Sequence, residues 1–248
     1  MSVFRRRGSE SQAIPGIDEP FDREAAAPLS STADDSAVGA RADPGNRDAH
    51  AARSGPSGSA LTGPFDISQV ATGELLRIDF GSLLVPAVDG MQVRLELNEE
   101  QQPVAVSVVL EDTVLQLQAF AAPRSEGIWD EIRQEIAEGI RGSQGRAHEA
   151  TGPFGRELRA DVPAPGRSGS AGTQPVRFIG VDGPRWFLRG LISGPGGDDG
   201  AKALAVEEIF RGVAVRRGDL AAPPREPLPI SLPEDPSLLT QEPPGGDG

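Results

Sequence analysis

The feature that most limits what this chain can become is a change of period. In ELLRIDF, Leu76, Ile78 and Phe80 alternate with Arg77 and Asp79. In MQVRLEL, Met91, Val93, Leu95 and Leu97 alternate with Gln92, Arg94 and Glu96. PVAVSVVL and TVLQLQAFAA follow, each bounded by acidic or turn-forming residues. A two-residue period puts alternate side chains on opposite faces of a pleated strand. These runs therefore read as successive strands joined by short hairpin connections at 98–102 and at Glu111-Asp112. In SEGIWDEIRQEIAEGIRG the spacing changes. Ile128, Trp129, Ile132, Ile136 and Ile140 recur at helical intervals, with acidic residues and arginines on the other side. Ser125 is placed to cap this helix, Glu126 suits its positive end, and Gly142 ends it.

Strands resume after the connection SQGRAHEATGPFG. RELRADVP is one, PVRFIGV comes next after the flexible insert APGRSGSAGTQ, and WFLRGLIS is third. A shorter helix is expected near 202–210, a strand near 213–216, and an extended segment at PPREPLPISLP because of its prolines. Both halves thus run through three strands into a helix. DTVLQLQAFAAP aligns with DGPRWFLRGLISG, so that Leu117-Gln118-Ala119 falls on Leu188-Arg189-Gly190. The expected fold is α+β: a largely antiparallel sheet of about six to eight strands with two helices on one face, built as a pseudo-duplicated β-β-β-α unit.

Along WFLRGLIS, Trp186, Leu188, Gly190 and Ile192 share a face with Leu115, Leu117, Ala119 and Ala121 of the first half; this is the expected core. Arg185, Phe187, Arg189 and Leu191 share the other face with Val114, Gln116, Gln118 and Phe120. That second face is mixed. It is expected to be covered by the C-terminal segment, in which Leu228, Ile230 and Leu232 alternate, with a protein partner as the other candidate cover. Arg185, Phe187, Arg189 and Leu191, together with Arg124, are the candidate ligand- or partner-binding residues.

Chemistry-bearing motifs are scarce. The chain lacks Cys, which removes disulfides, zinc-thiolate sites and thiol nucleophiles. Its two histidines, His50 and His148, lie apart in polar segments, so no metal, cofactor or catalytic residue is expected. The glycine-rich SGPGGDDGAKAL loop precedes a helix, where phosphates are often held. Pro195 removes a donor there and Asp198-Asp199 bring negative charge, so one of these Asp residues is read as a helix cap. Glu126, Asp130 and Glu131 are read as dipole-favouring charges rather than an acid–base pair. The net charge of −13 disfavours nucleic acid and anionic membranes. The start, MSVFRRRGSE, is basic, but no apolar run follows it, so no secretory leader is expected.

With 31 Gly and 23 Pro gathered at the ends and in two loops, residues 1–62 and 234–248 are expected to be disordered, flanking a single domain at 63–233. At DFGSLLVPAVDGMQVRLEL, LQLQAFAAPRSEGIWDEIRQEI and RFIGVDGPRWFLRGLISG, with GPFGREL and PREPLPISLP, the chain resembles an actinobacterial domain-of-unknown-function family (DUF3710) from about Gly63 to Pro233. The resemblance implies a cytoplasmic protein and brings no activity, ligand or catalytic residue with it. The expectation is a non-catalytic interaction module, adaptor- or chaperone-like, that meets a protein partner or its own copy. The alternative is an enzyme or sensor that holds an anionic small ligand with Arg124, Arg185 and Arg189.

Overall fold

The computed structural model describes residues 63–70, 75–124, 127–165, 171–219, 221–235 and 239. The expectations for residues 1–62, for Ser125 and Glu126, and for most of 234–248 lie outside the described residues. In chain order the elements are β1 (Phe65–Asp66), β2 (Arg77–Asp79), β3 (Leu83–Pro86), β4 (Gln92–Leu97), β5 (Pro103–Leu110), β6 (Thr113–Ala121), α1 (Trp129–Gly142), β7 (Arg146–Gly152), β8 (Gly155–Pro165), β9 (Ala171–Gly183), β10 (Trp186–Ser193), α2 (Gly200–Gly212) and β11 (Ala214–Val215).

The expected class is the observed one, with antiparallel strands dominating. They form two sheets rather than one. A seven-stranded antiparallel sheet has the order β4-β5-β6-β10-β9-β8-β7, and a smaller sheet has the order β1-β11-β3-β2. The ELLRIDF and LLVP segments go into the smaller sheet, where Phe80, Leu83 and Val85 are fully buried. One apolar core joins the two sheets. Val106, Val108, Leu115, Leu117, Trp186, Leu188 and Ile192 meet Phe80, Leu83, Val85, Val213 and Val215, with Val206, Ile209 and Phe210 of α2 among them.

The duplication is visible in the strands and absent from the helices. β4-β5-β6 and β10-β9-β8 are two antiparallel meanders that meet at β6 and β10. At that seam Gln118 pairs with Arg189, and Leu117 with Gly190. The Leu117–Leu188 alignment is therefore a local twofold through the Gln118–Arg189 pair. Such an axis keeps both members of a pair on one face and would carry the two helices to that same face. They lie instead on opposite faces, contrary to expectation. Gly180 sits beneath α1, where an added Cβ would lie 2.5 Å from Cδ2 of Trp129. Gly190 sits beneath α2, where it would lie 2.9 Å from Cε2 of Phe210. Gly180 is paired with Arg189, and Gly190 with Ile179, so the two glycines point to different sides. Each missing side chain makes room for an aromatic ring.

Two strand expectations also change. The SQGRAHEATGPFG connection contains edge strand β7, paired along its length with β8. Its residues are polar on both faces, so alternation did not mark it. The insert expected at 164–174 gives way to β9 from Ala171 onward, with Thr173 paired to Pro163.

Candidate functional site

β10 lies at the centre of the larger sheet, and its two faces differ. Toward α2, every position from Trp186 to Ile192 is apolar or Gly and buried. Toward α1 stand Phe187, Arg189 and Leu191, the mixed face expected from the sequence. Phe187 is fully buried and Leu191 nearly so. Phe187 stacks on Trp129 at 5.5 Å between ring centroids and on Phe120 at 6.0 Å. The cover over this part of the face is therefore α1, not the C-terminal segment.

That segment has another role. The second half of β6 has no β5 residue opposite it, and the chain after Pro223 takes that place. Leu228 N–H donates to the Ala119 carbonyl, Arg225 N–H to Ala121, and Ala121 N–H to Glu226. Leu228 then enters the core shared with α2, and Ser231 N–H reaches the Phe80 carbonyl of the smaller sheet. Leu232 is exposed. An unpaired half-strand needs hydrogen bonds more than the mixed face needs a lid, which is why the apolar tail went to the edge. Arg225 fastens the segment to α1 through Glu135 at 2.7 Å and Glu131 at 2.5 Å.

α1 begins against β9. The Asp182 carboxylate accepts from Ile128 N–H at 2.8 Å and from Trp129 N–H at 3.4 Å. Trp129 Nε1 donates to the Arg156 carbonyl, and Arg133 reaches Asp130 and, across the sheet edge, Glu149. The hydrogen bonds from Arg133 and Arg156, with their charge, hold the Glu149 carboxyl below its ordinary value. Asp130 and Glu131 are thus engaged in ion pairs. α2 is capped by Asp199, as the sequence suggested, through its bond from Ala201 N–H.

α1 lies over β7, β8 and β9, and among the described residues no helix lies over the β4–β6 part of the same face. That part is a shelf of polar side chains. Arg94, Ser107, Gln116 and Leu191 stand opposite one another across β4, β5, β6 and β10. In the next row Gln118 pairs with Arg189. Ser107 Oγ donates to Glu96 Oε1 at 2.7 Å. Gln118 Nε2 donates to the carbonyl of Val104, the residue at which the β4–β5 register shifts. Arg189, only 4 % exposed, donates to Gln118 Oε1 and lies over the Phe120 ring. Two shelf atoms, Arg94 Nε and Gln116 Oε1, are buried without a hydrogen-bond partner among the described residues. The sequence marked Gln116 as part of the mixed face. Arg94 and Ser107 were not singled out, although both occupy polar positions of alternating strands and could have been found by extending that face across the sheet.

The candidate arginines do not come together. Arg124 is exposed in the β6–α1 connection. Arg185 is the second residue of the two-residue β9–β10 turn, with φ 66°, and its guanidinium donates to the Gly218 carbonyl. It precedes β10 rather than standing on it. Arg185 lies four residues from Arg189, roughly 13 Å along an extended chain. Across the sheet, on the α2 side, Arg177 is buried between Glu157 at 2.8 Å and Glu207 at 2.9 Å, tying β8, β9 and α2 together. Burial alone would push the Glu157 carboxyl up. The hydrogen bonds and charge of Arg177 and Arg159 outweigh it and keep that carboxyl low.

Among the described residues no group of three or more His, Asp or Glu side chains is arranged to hold a metal ion, and no helix is long and apolar enough to cross a membrane. No curated protein and no solved structure matches the chain. A family model does match, over residues 63–238, and by that match the chain belongs to the family described as Protein of unknown function (DUF3710).

Proposed function

We propose that this chain is a non-catalytic protein-interaction module, adaptor- or chaperone-like and cytoplasmic, that works through the polar shelf of β4, β5, β6 and β10. The observation that carries the reading is the pair of buried, unpartnered groups there, Arg94 Nε and Gln116 Oε1. A buried donor or acceptor left unpaired costs roughly 1–3 kcal/mol, and a partner that supplies its missing bond recovers much of that. A polypeptide offers both carbonyls and N–H groups at the spacing of a strand, which suits a shelf with one free donor and one free acceptor. The ligand-sensor alternative is not favoured. Arg124, Arg185 and Arg189 are spread over a loop, a turn and a mid-strand position, and Arg185 and Arg189 already hold acceptors of this chain.

Affinity capture from the native host tests the reading, with the full chain and its Gln116→Ala variant as baits. The expected result is a protein recovered by the first and lost with the second, at an unchanged thermal midpoint. Equal recovery by both baits would remove the shelf from the function. Stabilisation by phosphate or a small carboxylate, abolished by Arg189→Ala, would replace the interaction reading with the ligand one.

A further inference from the structure

We infer that the free edge of β4 pairs antiparallel with the β4 edge of a second copy of this chain, in a register set by Arg94 and Glu96. This deepens the interaction reading and rests on it, naming a second copy as the partner on one border of the shelf. β4 ends the order of the larger sheet, and its outer side is unpaired among the described residues. The hairpin irregularity near Glu96 and Leu97 falls on β5, where Val104 has no opposite residue, so β4 keeps an even edge. Charged residues on an edge strand usually discourage pairing with another chain. Here the two charges are opposite and two residues apart, and that pattern is self-complementary.

A closed dimer of identical strands has a twofold axis, and the axis fixes which residues face each other. With the axis at Leu95, Arg94 stands opposite Glu96 of the second copy and Glu96 opposite its Arg94. Leu95 faces Leu95, and Val93 faces Leu97. With the axis at Arg94 or at Glu96, like charges face each other and the register is rejected. The Leu95 register also answers two features of the single chain. Among the described residues Arg94 forms no ion pair and its Nε has no partner, and a carboxylate directly opposite gives the guanidinium one. Leu97 is 48 % exposed at the end of the strand, and the backbone of the second copy comes to lie beside it. Ser107, bonded to Oε1 of Glu96, holds that carboxylate on the shelf face and leaves Oε2 for the approaching guanidinium. The opposite edge of the sheet, β7, has no such need, because its Glu149 already holds Arg133 and Arg156.

Sedimentation and light scattering on the full chain over a range of concentration test the proposal. The wild type is expected to reach the dimer mass. Arg94→Glu alone and Glu96→Arg alone place like charges face to face, and each is expected to remain monomeric. Mixed in equal amounts, the two variants restore both opposite-charge pairs and recover the dimer. The Arg94→Glu/Glu96→Arg double variant recovers it as well. Recovery on mixing also shows that both variants are folded. If either single variant fails to fold, Leu97→Asp at its exposed position serves instead, with loss of the dimer expected at an unchanged thermal midpoint. A wild type that stays monomeric, single variants that still dimerise, or a mixture that stays monomeric would each overturn the edge pairing. Capture that depends on Gln116 can survive any of those results, so failure of the dimer and failure of the interaction reading are told apart.

Discussion

One face of the larger sheet carries two regions of opposite character. Under α1, the strands β8, β9 and β10 present Leu158, Ala160, Val162, Val176, Phe178 and Phe187, all buried. A few strands away, β4, β5 and β6 present Arg94, Glu96, Ser107, Gln116 and Gln118. Both regions alternate with a two-residue period, and both lie opposite the same core. The difference is the helix. The stripe of Trp129, Ile132, Ile136 and Ile140 needs apolar rows to rest on, and only the second meander supplies them, together with the gap at Gly180. Alternation states that a strand has two faces. The residues of the less apolar face decide whether something of this chain lies on it.

Three measurements can break that comparison or sharpen it. The largest effect is expected for Trp129→Ala. It removes the ring stacked on Phe187 and the hydrogen bond to Arg156, and a large aromatic truncated in a core costs roughly 3–5 kcal/mol. Urea unfolding reads it, and a loss under about 1 kcal/mol would mean that the covered half is no more a core than the shelf.

A smaller effect lies at low pH. The Glu149 carboxyl is held below its ordinary value by Arg133 and Arg156. A group whose folded value is depressed contributes stability that is present above its unfolded value and is lost as pH falls through the folded one. The contribution is thus full at neutral pH and declines below the ordinary glutamate value of 4.5. Glu149→Gln should lower stability at pH 7 and converge on the wild type as pH falls below that ordinary value. A difference that stays constant across that range would show that the α1 anchor does not depend on the charge.

The smallest effect is expected on the shelf. Gln116→Ala should shift stability by less than about 0.5 kcal/mol, because its carbonyl oxygen has no partner to lose. A loss as large as that of Trp129→Ala would show the shelf to be packed as tightly as the covered half.

Much of the architecture was legible from period alone. The strands of both meanders, α1 with its isoleucine stripe and the Asp199 cap of α2 follow from local rules. So does the Leu117–Leu188 alignment, which lies on a true seam of the sheet. What was not legible depended on contacts distant in sequence. Polarity on both faces concealed β7. The choice of sheet for β2 and β3 turned on where Phe80 and Leu83 find a core, and the opposite placement of the helices turned on Gly180 and Gly190. In the candidate site, Phe187, Arg189 and Leu191 were rightly grouped on one face. Arg185 was counted with them because the two-residue turn takes it out of the strand's alternation, and a positive φ at an arginine leaves no mark in the sequence. The tail's apolar residues announce burial without saying that β6 lacks β5 partners there, which is where the tail goes.

Asp182 holds the first N–H groups of α1 from 53 and 54 residues further along the chain. On a ribosome, α1 is made before that carboxylate. The anchor of its first turn must wait until β9 has emerged and laid itself on the sheet. β10, which joins the two meanders, follows Asp182 directly. Completing the helix start and closing the sheet therefore fall within the same few residues of synthesis. A nascent chain halted before residue 182 holds α1 without its anchor, and one from which β10 has fully emerged can join both meanders.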